Sequence, residues 1–157
     1  MGFIFLSIVF NLHLQVSDSS FEKEFYRVFS FGNIAEVEKS IRSLESAGAL
    51  HFSEAYKGAM LMKKSLLLKT PESKLKAFKA GYKLLEKEIS KSSGNAELRF
   101  LRLAIQEHAP EFLKYNKDIK EDKTIIKKNF KALDAVVRDY IIKYCSVSSI
   151  LKTTDFQ

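Results

Sequence analysis

Apolar residues recur along this chain at spacings of three and four, the interval that places side chains on one face of an α-helix. In residues 20–31 the stripe is Phe21, Phe25 and Val28 or Phe29, with Ser19 or Ser20 as the expected cap and Gly32-Asn33 as the stop. Asn33 followed by Glu36 has the spacing of a capping box, and Ile34, Val37, Ile41 and Leu44 mark a second helix ended by Gly48. Ser53 is the expected cap of a third helix, with Ala55, Ala59, Met62 and Leu66 on one side and Tyr56, Met60 and Leu67 widening the stripe. A fourth opens at Thr70-Pro71-Glu72, which supplies a cap, a proline at the first helical position and a carboxylate near the positive helix end. Leu75, Phe78, Tyr82, Leu85 and Ile89 follow. Gly58 and Gly81 lie inside these two helices, where each costs about 1 kcal/mol relative to Ala, so a neighbouring helix is expected to approach closely there.

Ser92-Ser93-Gly94 breaks the pattern and Asn95 caps a fifth helix, with Leu98, Leu101 and Ile105 inside and Phe100 and Leu103 on its flanks. Pro110 starts a short segment that runs to Tyr115. A long final helix is expected from Asp118 to Tyr144, with Asn129 marking where it could be interrupted. The polar stretch 146–157 reads as a flexible tail. The pattern therefore predicts an all-α fold: an antiparallel stack of about six helices in hairpins, closed by a long C-terminal helix, in one domain over residues 20–145.

Residues 1–19 stand apart. Met1 to Val16 is apolar except for Ser7, Asn11, His13 and Gln15, too short for the roughly 20 residues that span a bilayer as a helix. Its length suits the core of a secretory signal, with Ser17-Asp18-Ser19-Ser20 offering small residues for cleavage. No Lys or Arg precedes the apolar run, as a signal normally requires. The competing reading is a buried first helix or strand.

Composition refines this picture. Six Gly and two Pro in 157 residues favour helix, and 46% apolar residues are enough for a real core. The net charge of +7 is concentrated in residues 63–91, which hold nine lysines against Glu72, Glu86 and Glu88. Lys76, Lys79, Lys83 and Lys87 are the basic surface that could meet an anionic membrane or nucleic acid, or simply form a solvated face. The segment lacks the arginines and interleaved aromatics typical of base or phosphate recognition, which disfavours nucleic acid. Cys145, the only cysteine, excludes an intramolecular disulfide and sits in an apolar run where a buried thiol is expected. Glu107-His108 and His51-Phe52-Ser53-Glu54 lack metal-ligand spacing, so neither a metal nor a cofactor is expected, and Glu121 and Asp122 read as solvated carboxylates.

Arg99, Arg102 and Gln106 lie at i, i+3 and i+7 and share one face of the fifth helix, with no acidic residue three or four positions from either arginine. Two such charges need a partner from elsewhere: Glu54 or Glu111 within the fold, or the carboxylate of a ligand held in bidentate fashion. With Tyr56, Lys57 and Tyr115 brought close by stacked hairpins, this face becomes a candidate groove for an acidic peptide. The alternative is an internal ion-pair network.

Ala55-Tyr56-Lys57-Gly58-Ala59 resembles the first helix of a tetratricopeptide repeat, and Phe78-Lys79-Ala80-Gly81-Tyr82-Lys83-Leu84-Leu85-Glu86 resembles its second. Asn95-Ala96-Glu97-Leu98 resembles the entry to a following repeat, although the spacing is about forty residues against the usual thirty-four. The proline of that junction is replaced by Ser93-Gly94. The block from Ala55 to Lys127 is also similar to small exported proteins of unknown function from Bacteroidota. These resemblances imply a non-catalytic binding or scaffold module, exported to the periplasm, whose partner is another protein or peptide. The competing expectations are a cytoplasmic protein that contacts an anionic membrane or nucleic acid through its lysine-rich helix, and an enzyme with an unrecognised site.

Overall fold

Four of the helices begin where a side chain supplies an acceptor for otherwise unpaired amides. In a computed structural model, which describes residues 18–46 and 52–157, seven α-helices follow one another: α1 (Asp18–Phe31), α2 (Ile34–Ser46), α3 (Ser53–Leu67), α4 (Pro71–Lys91), α5 (Ala96–Gln106), α6 (Ile119–Asn129) and α7 (Ala135–Tyr144). Short 3₁₀ turns occupy Glu111–Leu113, Phe130–Ala132 and Thr153–Phe156, and no strand occurs among the described residues. The expected signal or apolar segment lies outside the described residues up to position 17, as does the Gly48 stop.

Several caps follow the sequence closely. The Asn33 side chain accepts from the amides of Ala35 and Glu36 at 3.0 and 3.1 Å, and Glu36 returns the contact to the Asn33 amide at 2.9 Å. Thr70 accepts from Ser73 N and Asn95 from Leu98 N. Two starts differ from expectation. Ser19 and Ser20 lie inside α1, which begins at Asp18. Ser53 is the first residue of α3 rather than its cap: Phe52 occupies that position with φ of 60° and no side-chain cap bond. Its ring packs against the core and its carbonyl accepts from Tyr56 N, which together hold a left-handed conformation unfavourable for an aromatic residue.

α3 and α4 form the most extensive helix pair. A Cβ added to Gly58 would lie 2.8 Å from both the Gly81 carbonyl oxygen and the Leu85 amide nitrogen. One added to Gly81 would meet the Gly58 carbonyl and, at 2.6 Å, Met62 Cγ. The two backbones thus touch where the glycines removed the side chains, as their placement within helices implied. α2 packs on the other side of α3, α5 on α6, and α1 on α7. Phe25 is the centre of the aromatic core, with ring centroids 4.6 Å from Tyr56, 5.2 Å from Tyr26 and 5.8 Å from Phe29.

The expected long final helix is two helices. Asn129 turns its amide to the Gly94 carbonyl at 2.9 Å, and Phe130 packs on Phe156 with centroids 4.4 Å apart. Arg138 Nη1 donates to the carbonyls of Lys131 and Leu133, satisfying the corner, and Asp134 caps α7. The corner allows α6 to lie against α5 while α7 reaches α1.

The tail is also corrected: residues 146–157 are packed rather than frayed. Leu151 is fully buried, Ser148 is buried, and Asp155 pairs with Lys123 at 2.8 Å and Lys127 at 2.9 Å. Glu107 anchors the same segment, accepting from Ser148 and Ser149 hydroxyls and from the Ser149 and Ile150 amides. A polar composition concealed this because the hydroxyls and amides are bound by carboxylates from elsewhere in the chain.

Candidate functional site

The predicted arginine face exists, but it points inward. Arg99 and Arg102, with side chains 5% and 6% exposed, converge from α5 on Asp122 of α6, which is completely buried. Asp122 Oδ1 accepts from Arg99 Nη1 at 3.0 Å and Arg102 Nη2 at 2.6 Å, while Oδ2 accepts from Arg102 Nε at 2.8 Å. Arg99 also donates to the Ser93 carbonyl and pairs with Glu121. Arg102 reaches Glu86 of α4 at 2.9 Å, and Tyr115 donates to the other oxygen of Glu86 at 2.8 Å. Burial raises the Asp122 carboxyl, against the pull of both guanidiniums. Burial also opposes the charge on Arg102, but the carboxylates around it outweigh that effect and hold it firmly protonated. The arginines' partners are therefore not Glu54 or Glu111, and Asp122 is not solvated.

The other members of the expected groove are dispersed. Tyr56 donates to Glu97 at 2.7 Å, as does Tyr26 at 2.8 Å, and Lys57 pairs with Glu45 at 3.2 Å. Gln106 is buried, and neither its amide nitrogen nor its oxygen has a hydrogen-bond partner among the described residues. Of the six residues, Arg99, Arg102 and Tyr115 belong to one cluster centred on Asp122 and Glu86, with their polar groups turned to partners within the protein. This cluster clamps α4, α5 and α6 together and presents no open carboxylate site.

An open site lies elsewhere. The last turns of α1 and α7, the end of α3 and one face of the buried α5 enclose a pocket of about 380 Å³. Tyr26, Phe100, Ala104 and Ile105 form its buried wall, and Tyr140 and Tyr144 come from α7. At its edge stand Phe31, 83% exposed, and Val147, 70% exposed, with Leu66 also exposed. Such apolar exposure around one concavity is what a binding pocket presents and what an ordinary surface avoids.

The polar groups of the pocket are cationic or neutral. Lys63 reaches across from α3 to the Ser30 carbonyl at 3.3 Å and has no carboxylate partner among the described residues. Partial burial lowers its pKa from the ordinary lysine value. Lys143, by contrast, pairs with Asp139 at 2.6 Å. His108 Nε2 lies 3.4 Å from the Tyr144 hydroxyl. Tyr144 is committed to Glu107 at 2.8 Å, and burial followed by this bond raises its hydroxyl pKa strongly. For Glu107, burial works towards a higher pKa, but the bonds from Ser149, Ser148 and Tyr144 outweigh it and hold the carboxylate below its ordinary range.

Cys145 is not among the described residues that line this pocket. Cys145 is buried, donates to the Ile141 carbonyl at 3.2 Å and has a thiol raised by burial. No group of three or more His, Cys, Asp or Glu side chains converges as a metal would need among the described residues, and no described helix is long and apolar enough to cross a membrane. Lys76, Lys79, Lys83 and Lys87 project from the outer face of α4, exposed and without an ion pair among the described residues. Sequence spacing did not reveal the pocket because its wall is assembled from four helices. The detectable signals were Phe31 beside the Gly32 stop and the Tyr140–Tyr144 pair one turn apart on α7. No protein family, curated protein or solved structure significantly matches this chain.

Proposed function

We propose that this protein is a non-catalytic helical binding module whose pocket between α1, α3, α5 and α7 receives an apolar ligand or the apolar side chains of a partner. The carrying observation is the concavity itself, with Phe31 and Val147 exposed at its rim above a buried aromatic wall. The resemblance of the Ala55–Ala59 and Phe78–Glu86 sequences to a tetratricopeptide hairpin is the ground for proposing a binding role, and the resemblance of Ala55–Lys127 to small exported proteins of Bacteroidota is the ground for proposing a periplasmic location. The neutral solvatochromic dye Nile red tests the pocket. Saturable one-to-one binding that is lost in Phe31→Asp/Ala104→Phe, with the helical circular-dichroism signal retained, supports the reading. Dye that binds without saturation, or equally to that variant, refutes it.

A second reading rests on α4. Lys76, Lys79, Lys83 and Lys87, without an ion pair among the described residues, form one exposed strip along the helix, and Tyr82 turns its ring onto Tyr115, 5.4 Å between centroids, rather than standing free to stack on bases. This favours a membrane surface over nucleic acid. Co-sedimentation with anionic vesicles should then fall steeply as salt rises and be lost on substituting the four lysines by Gln, because the attraction is screened.

A further inference from the structure

We propose that the natural occupant of the pocket is a single-chain amphipathic anion, an acyl carboxylate whose chain lies between α1, α5 and α7 and whose head group meets Lys63. This rests on the pocket being a binding site for apolar ligands. The charge arrangement around the rim carries the additional step. Among the pocket-lining residues there is no acidic side chain, while Lys63, Lys143 and His108 all border it. Lys143 is paired with Asp139, whereas Lys63 has no ion pair among the described residues. The carboxylates that touch lining residues from behind are already engaged: Glu97 accepts from Tyr26, and Glu107 accepts from Tyr144, Ser148, Ser149 and the Ile150 amide.

Lys63 is also placed to give up its present contact. Its bond to the Ser30 carbonyl is long, 3.3 Å, and uses one of three ammonium hydrogens. An incoming carboxylate gains a charge-assisted bond without displacing an ion pair, while the apolar walls accept the chain. A cationic amphiphile finds no acidic side chain among the described lining residues and only Asp139, already paired with Lys143, beside them, and an uncharged one loses the head-group contribution.

The test compares decanoate, decanol and decyltrimethylammonium as competitors for Nile red on the full chain. Decanoate should bind roughly tenfold or more tightly than decanol, and the cation more weakly than either, since one charge-assisted bond is worth about a factor of ten or above. Lys63→Met should equalise decanoate and decanol while leaving decanol affinity unchanged, and Lys63→Arg should restore the preference. If decanol binds as well as decanoate to the unsubstituted chain, the head-group proposal fails while the apolar pocket stands. If Nile red and all three amphiphiles fail to bind, both readings fail. Both also fail if residues 1–17 or a second copy prove to fill the groove, which native mass spectrometry and dilution would reveal.

Discussion

Asp122 offers the sharpest perturbation of the fold. Replacing it with Asn keeps the shape of a completely buried side chain and removes the charge that two nearly buried arginines share. Breaking one member of a buried ion cluster costs about 3 to 5 kcal/mol, because the remaining charges are left without compensation. Here Arg102 keeps Glu86 at 2.9 Å, and Arg99 keeps the Ser93 carbonyl and the exposed Glu121, so the lower end applies. About 3 kcal/mol is a large share of the stability of a single domain and should lower Tm by roughly 6 to 12 °C. Urea denaturation followed by circular dichroism measures it without the ionic screening that guanidinium introduces. A companion variant sharpens the reasoning: Arg99→Met/Arg102→Met/Asp122→Leu, which removes the central charges together, should be less destabilised than Asp122→Asn. A loss below about 1 kcal/mol for Asp122→Asn would show that the clamp is held by its surrounding contacts instead.

Three further outcomes follow from particular contacts. Gly58→Ala should destabilise by about 1 to 3 kcal/mol in the same urea assay, since its methyl would meet backbone atoms of α4 at 2.8 Å; unchanged stability would mean that α3 and α4 separate freely. Gln106→Met should leave stability unchanged or raise it by about 1 kcal/mol, because the buried amide has no partner among the described residues to lose, whereas a clear loss would reveal one. Glu107 and Asp155 have folded pKa values below those of the unfolded chain, so their contribution is complete above about pH 4, the ordinary carboxylate range, and is lost as pH falls towards the folded values. NMR of the Leu151 methyls should therefore report release of the tail below about pH 4, and Glu107→Gln should make Cys145 react faster with maleimide at neutral pH. Leu151 resonances that ignore acid, together with an equally protected thiol in the variant, contradict the anchoring role.

Local signals in the chain were enough for most of the helices. Asn33 with Glu36, Thr70 with Pro71 and Asn95 act on amides within three residues, so their meaning survives without a fold. Gly58 and Gly81 announced a close helix approach because no other role inside a helix justifies their cost. The start of α3 was misplaced because burial of the Phe52 ring, a tertiary effect, outweighs the local preference for a serine cap.

The site divides along the same line. The heptad-like spacing of Arg99, Arg102 and Gln106 established that they share a face and that the arginines need outside partners. Which partners, and whether water or protein lies opposite, depended on α6 bringing Asp122 from 20 and 23 residues away. Likewise, the tail looked polar because its composition is polar, but Glu107 and two lysines convert that polarity into anchoring contacts over distances no local pattern encodes. Periodicity and capping are properties of neighbours in the chain, so they determined the helices. The pocket and the buried charge cluster are properties of neighbours in space, and only the packing of α1, α3, α5 and α7, and of α4, α5 and α6, created them.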